Sequence, residues 1–221
     1  MIKNSGALVP LSILLFVLAL TGVSMWLISR SNPRLFWIPL AVLAVMFAGM
    51  VAFSRGLNQP KEPRPEILNE NGVAGTALVL YQPGISNFHY SVTRAFAEGL
   101  ASQGWRVEMN TVGEHISKDL SAYGLLAVGG PVYRFSASVP VTQFLSRVGD
   151  LQGIAAVGIT TAAGSGPEAS QMLKEAIQQA NGKVAANLNL YQLAPNDEQF
   201  GSADSLQIAR RAGEQVVSTL P

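Results

Sequence analysis

Residues Thr76–Leu100, TALVLYQPGISNFHYSVTRAFAEGL, decide how this chain folds. Thr76–Tyr81 is a short apolar run, the pattern of a strand buried on both faces. A polar loop with Pro83 and Gly84 follows. Tyr90–Ser102 then places Val92, Phe96 and Leu100, with Ala95 and Gly99, on one face of an amphipathic helix. A strand that feeds a helix N-terminus through a glycine-bearing loop is a ready anion cradle. Orphan backbone N–H groups and the positive end of the helix dipole converge there.

Downstream the same alternation repeats. Strands are expected at Trp105–Val112, Leu125–Gly129, Ile154–Thr160 and Val184–Leu190. Helices are expected at Ile116–Tyr123, Pro140–Val148, Glu168–Asn181 and Ser205–Thr219. Strands alternating with helices imply βαβ units and a parallel sheet covered on both faces. Five strands in this length fit a doubly wound five-stranded α/β domain over 76–221. Ligands bind such sheets beyond the carboxyl ends of the strands. The loops at that edge are Gln82–His89, Gly130–Ser138 and Thr161–Pro167, all rich in Gly, Ser, Pro or Thr. They suit close backbone approach to a ligand, and equally suit ordinary tight turns.

Upstream the chemistry changes. Residues 7–28 run 22 positions without a charge and residues 35–53 another 19, and the first 53 residues hold only Lys3, Arg30 and Arg34. Each run meets the ~20-residue length that crosses a bilayer as a helix. The connector 29–34 is short, so residues 1–53 read as a two-helix transmembrane hairpin with membrane lipid as its partner. Trp26 and Trp37 stand near the connector, at interfacial depth. A cleaved signal peptide is the weaker reading, because the first run exceeds a 7–15-residue signal core and a second span follows. Lys3, Arg55, Lys61 and Arg64 outnumber Arg30 and Arg34, which places both ends and the following domain on the cytoplasmic side of the cell membrane. Residues 54–75, with Pro60, Pro63 and Pro65, read as a semi-extended linker whose 22 residues reach at most about 60–70 Å.

The chain contains no cysteine, which excludes thiol nucleophiles, disulfides and Cys-type metal sites. From Gly75 onward 9 basic and 11 acidic side chains leave a net of −2, so nucleic acid has no electrostatic footprint here.

The segment Asp119-Leu-Ser-Ala-Tyr-Gly-Leu-Leu-Ala-Val-Gly-Gly-Pro-Val-Tyr133 resembles a flavodoxin pattern: a D-L-x-x-Y-D lead-in, with Gly124 at its last position here, an apolar third strand and a G-[SG]-P-V-Y loop. With the element order from Thr76 to Thr219, it makes the soluble part similar to the flavodoxin family. The resemblance implies FMN as cofactor. The family's T-G-x-T phosphate core falls on Ser86, Asn87, Phe88 and His89, after the turn at Gly84. Ser86 keeps a hydroxyl, Asn87 replaces glycine with a residue that tolerates positive φ, and His89 replaces a hydroxyl with an imidazole whose pKa a phosphate would raise. By the same resemblance Tyr133 stacks on the flavin ring, with Pro131, Val132, Arg134 and Phe135 nearby. Thr160, Thr161 and Gly164 line its other side.

Gly164-Ser-Gly-Pro-Glu-Ala169 fits G-x-G-x-x-A but follows the fourth strand and lacks the acidic residue about 20 positions on. Ala163 breaks any G-x-S-x-G elbow. Two histidines, His89 and His115, are too few for a histidine-rich metal site. The expectation is therefore a membrane-anchored, FMN-binding electron carrier with a membrane redox partner. Two alternatives stand beside it: a flavin-dependent quinone reductase, and a flavin-free interaction module of the same fold.

Overall fold

The computed structural model describes residues 20–27, 30, 37–57, 59, 61–133, 135–164, 166–193, 196 and 204–220. The chain divides into two units, Met1–Gly56 and Leu57–Pro221.

In the first unit, residues 20–27 are helical and α1 spans Ile38–Leu57. Among the described residues α1 is the one helix long and apolar enough to cross a membrane, with a mean hydropathy of 1.9. The rest of the expected first span, residues 7–19 and 28, lies outside the described residues. The expected hairpin thus reduces to one candidate helix.

The second unit is built on one six-stranded sheet. Its elements are β1 (Glu66–Leu68), β2 (Gly75–Tyr81), α2 (Phe88–Ser102), β3 (Trp105–Thr111), β4 (Leu125–Pro131), α3 (Val139–Val148), β5 (Ala155–Ala162), α4 (Pro167–Gln179), β6 (Lys183–Tyr191) and α5 (Ser205–Val216), closed by a 3-10 turn at Val217–Thr219. The sheet order is β1-β3-β2-β4-β5-β6. The five expected strands form its parallel part. The sheet is mixed rather than purely parallel, because β1 adds antiparallel to the β3 edge.

Burial follows the pleat. Ala77, Val79 and Tyr81 of β2 face a core with Val92, Phe96, Leu100, Ile208 and Val216 of α2 and α5. Leu78 and Leu80 face the opposite core with Val141, Phe144, Leu145, Leu173 and Ile177 of α3 and α4. β2 and β4 are buried almost throughout, as central strands of a doubly covered sheet must be. Helices α2 and α5 touch through reciprocal glycines. A Cβ on Gly99 would meet the Arg210 carbonyl oxygen at 2.2 Å, and one on Gly213 the Phe96 carbonyl oxygen at 2.2 Å.

Two local expectations fail for physical reasons. Residues 116–123 form an irregular loop rather than a helix. There the Ser117 hydroxyl accepts from Asp119 N–H and the Asp119 carboxylate from Ser121 N–H, local bonds that compete with helix formation. Residues 59–69, read as part of a free linker, are attached to the domain. The Gln82 side chain donates to the Gln59 carbonyl (3.0 Å), Thr111 Oγ1 to the Glu62 carbonyl (2.8 Å), and Arg64 N–H to Asn110 Oδ1 (2.8 Å).

Candidate functional site

The strand order reverses between β2 and β4. The chain leaves β2 toward β3 on one side and returns to β4 on the other, so the loops after β2 and β4 diverge above the sheet and leave a crevice. These loops are 82–87 and 132–138.

The first loop supplies backbone donors. Asn87 occupies the N-cap of α2 with φ −75° and makes no side-chain cap bond. Its backbone is right-handed, so the expected tolerance of positive φ is not used. Phe88 N–H leans on Ser86 Oγ at 3.4 Å. The N–H groups of Ser86, Asn87, His89 and Tyr90 have no acceptor among the described residues. An uncapped first turn with free amides is what an anion would use.

The loops are tied together. Ile85 N–H donates to the Tyr133 hydroxyl at 2.8 Å. Gly84 makes that approach possible, since a Cβ there would stand 3.3 Å from Tyr133 Oη and from Pro131 Cγ. Tyr133 therefore reaches back over the first loop rather than standing away from it. Val132 N–H donates to the Thr161 carbonyl at 2.8 Å, which joins the second loop to β5.

His89 requires a correction. It is 1% exposed, with Nδ1 3.0 Å from Thr161 Oγ1 and Nε2 3.3 Å from Thr93 Oγ1. Burial drives its pKa down to about 4, against a weaker opposing hydrogen bond to the Gly129 backbone. The imidazole is a neutral strut between α2 and β5, not a phosphate donor. Thr161 is corrected with it, because its hydroxyl is taken by His89. Thr160 is also buried; its hydroxyl donates to the Leu188 carbonyl at 3.2 Å, toward β6 and away from the crevice. Gly164 is exposed on the third loop, and Arg134 lies outside the described residues. Of the expected residues, the fold brings together Gly84, Ser86, Asn87, Pro131 and Tyr133; Phe88 is half-buried against the α2 core.

A neighbouring groove of about 930 Å³ opens beside the first loop, lined by Lys61, Glu62, Arg64, Glu66, Ser86 and Asn87 among others. The two basic residues come from the segment expected to be linker and were missed for that reason. Burial raises the Tyr81 pKa, Tyr90 adds to the effect and Arg64 opposes it. Tyr90 donates to Glu66 Oε2 at 3.0 Å, and Arg94 bridges to Glu66 Oε1 at 2.9 Å, which fixes β1 against α2. Gln82, 1% exposed at the root of the loop, has a buried Oε1 with no partner among the described residues.

This arrangement has known counterparts. A flavodoxin from the domain Archaea superimposes with a TM-score of 0.54 over 65% of this chain and 97% of its own, at 19% identity. Oxidised Flavodoxin 2 from Bacillus cereus gives 0.53 over 66% and 99%, at 14% identity. The chain has a flavodoxin-like fold. Two-electron reduced Megasphaera elsdenii flavodoxin matches this flavodoxin-like domain equally well, with a TM-score of 0.53 and 14% identity over 64% and 98%. No protein-family model matches the sequence, and no curated protein matches it significantly.

Proposed function

We propose that this protein is a membrane-tethered flavodoxin-like electron carrier that binds FMN at the switch point between β2 and β4. The observation that carries the reading is the uncapped first turn of α2, whose amides at Ser86, Asn87 and His89 have no acceptor among the described residues, in the loop that also carries Gly84. Residues present fit the phosphate end of FMN. Amides of Ser86, Asn87 and His89 would hold it, while the charges of Lys61 and Arg64 along the groove are matched by those of Glu62 and Glu66. Tyr133 would cover the ring once its hydroxyl released Ile85 N–H. Bound flavin would supply one- and two-electron transfer, which the protein itself cannot.

The observation that supports the tether is α1. Twenty helical residues at ~1.5 Å each give about 30 Å, the thickness of a hydrocarbon core. We read α1 as one span of the two-pass anchor that the sequence suggests, with the domain cytoplasmic and its redox partner in the membrane.

Titration of FMN into protein starting at Leu57 tests the flavin half. Quenching of FMN fluorescence is expected, with riboflavin bound more weakly because it lacks the phosphate. If neither ligand binds, the electron-carrier reading falls and the interaction-module reading of the same fold replaces it.

A further inference from the structure

Three of the most exposed large apolar side chains of the domain stand on loops at one edge. Ile85 follows β2 and is 68% exposed, Phe135 follows β4 at 60%, and Leu193 follows β6 at 81%. Their parent strands lie within four neighbouring positions of the sheet, a width of about 15 Å at ~4.8 Å per strand. Single exposed apolar residues need no explanation, but a row along one edge does.

Phe135 is the most informative of the three. Tyr133 and Ser136 form a bridge, closed by Ser136 N–H donating to the Tyr133 carbonyl at 3.2 Å. Phe135 sits inside that turn with φ +59°. A position of this kind ordinarily takes glycine or asparagine. A phenylalanine here is unfavourable in its backbone and in its exposed ring, so the ring has a use outside the folded domain.

The N-terminal attachment says what covers the rim. Gln59, Glu62 and Arg64 are hydrogen-bonded to Gln82, Thr111 and Asn110, residues at the carboxyl ends of β2 and β3. The chain thus joins the domain at the same edge that carries Ile85, Phe135 and Leu193. From Leu57, the last residue of α1, to Glu62 the chain can extend no more than about 18 Å. The sequence had suggested a reach several times longer. Lys61, Glu62 and Arg64 are exposed at this attachment and carry a net positive charge, which suits an anionic headgroup layer.

We propose that the rim formed by Ile85, Phe135 and Leu193 docks on the lipid bilayer, so that the carboxyl edge of the sheet faces the membrane interface. The bilayer is the occupant because no more than about 18 Å of chain separates Glu62, attached at this edge, from the last residue of α1. The proposal rests on the membrane-tether half of the proposed function and is independent of the flavin half. Its consequence is that whatever reaches the crevice between the β2 and β4 loops does so through or along the headgroup layer.

The absence of cysteine makes the test direct. Four single variants of the full chain, Ile85→Cys, Phe135→Cys, Leu193→Cys and Val73→Cys, are labelled with an environment-sensitive fluorophore. Val73 is 96% exposed in the turn that precedes β2, at the opposite edge of the sheet. The labelled chains are placed in phosphatidylcholine–phosphatidylglycerol vesicles with and without nitroxide-bearing lipid. Quenching by the nitroxide lipid is expected at positions 85, 135 and 193, at least about twofold stronger than at 73, as for groups at the acyl boundary. Vesicle-bound chain with equal quenching at all four positions overturns the docking and leaves the tether standing. Chain that washes off the vesicles overturns the tether and the docking together. Rim labels shielded from aqueous iodide yet untouched by nitroxide lipid would assign the rim to a second copy of the chain and also overturn it.

Discussion

His89 gives the fold a built-in sensitivity to acid. The imidazole is buried on the inner face of α2 with its pKa held near 4, whereas an unfolded chain leaves it at the ordinary histidine value of 6.5. The folded state therefore binds fewer protons than the unfolded state between those two values. The stabilisation is complete above pH 6.5, where the ring is neutral in both states, and is lost as pH falls toward 4. From the two pKa values, about 1 kcal/mol is lost by pH 5.5 and about 2–3 kcal/mol by pH 4.5, relative to pH 8.

The perturbation is His89→Gln, which keeps an uncharged polar side chain able to reach Thr161 or Thr93. It lowers stability at pH 8, where a buried hydrogen bond is lost, but removes this proton linkage. Urea unfolding of protein starting at Leu57, followed by circular dichroism from pH 8 to 4.5, measures it. The gap between parent and variant is expected to narrow steadily below pH 6.5, by about 2–3 kcal/mol in total. Parallel stability curves across that range would mean that His89 is not held neutral by burial, and the strut reading would fail. A low-pH histidine resonance that still titrates near 6.5 and belongs to His89 would refute it independently.

Three further outcomes follow from other contacts. Tyr133→Phe frees Ile85 N–H from a hydrogen bond worth about 0.5–1.5 kcal/mol, so FMN should bind roughly two- to tenfold tighter by fluorescence titration; weaker binding would mean that the hydroxyl itself holds the ligand. Gly213→Ala drives a methyl into the Phe96 carbonyl and should destabilise the domain by about 1–3 kcal/mol in thermal or urea unfolding, while an unchanged midpoint would show that α2 and α5 separate freely. Protein starting at Gly75 lacks β1 and exposes the β3 edge; it should be less stable and more prone to aggregate than protein starting at Leu57, and equal behaviour of the two would make residues 57–74 dispensable to the fold.

The parallel sheet was legible because β2, β4 and β5 are buried on both faces and so read as continuous apolar runs. β1 was not. Glu66–Leu68 is three residues long, follows three prolines, and is a strand only because the β3 edge offers partners. The switch-point loops were legible from position alone, whereas the roles of their side chains were not. His89 looked like a ligand because the sequence reads as polar loop up to that point. Yet α2 begins at Phe88, and His89, Val92, Phe96 and Leu100 lie three to four residues apart on its buried stripe. Extending the helical period two residues upstream would have placed the imidazole in the core. Thr160 and Thr161 were misread in a related way. The sheet is covered on both faces there, so neither hydroxyl reaches the crevice.

These corrections move the functional question to different atoms. A site built from side-chain hydroxyls and an imidazole would have been lost when those residues changed. A site built from backbone N–H groups does not depend on which side chains follow Gly84, provided that α2 starts where it does and remains uncapped. Low identity to the solved flavodoxins therefore carries little weight against an anion at this loop. What bears on occupancy is Tyr133, whose hydroxyl holds one of the loop's own donors, and the rim beyond it at Phe135. Tyr133 and Phe135 belong to the same four-residue turn, closed by the Ser136–Tyr133 bond. If the rim docks on lipid, a force on Phe135 is transmitted to Tyr133 with one residue between them. Membrane contact would then loosen the hydrogen bond to Ile85 and open the crevice. FMN affinity should accordingly be higher on vesicles than in detergent for the parent chain, and Tyr133→Phe should erase that difference. An equal vesicle effect in both proteins would separate the rim from the site.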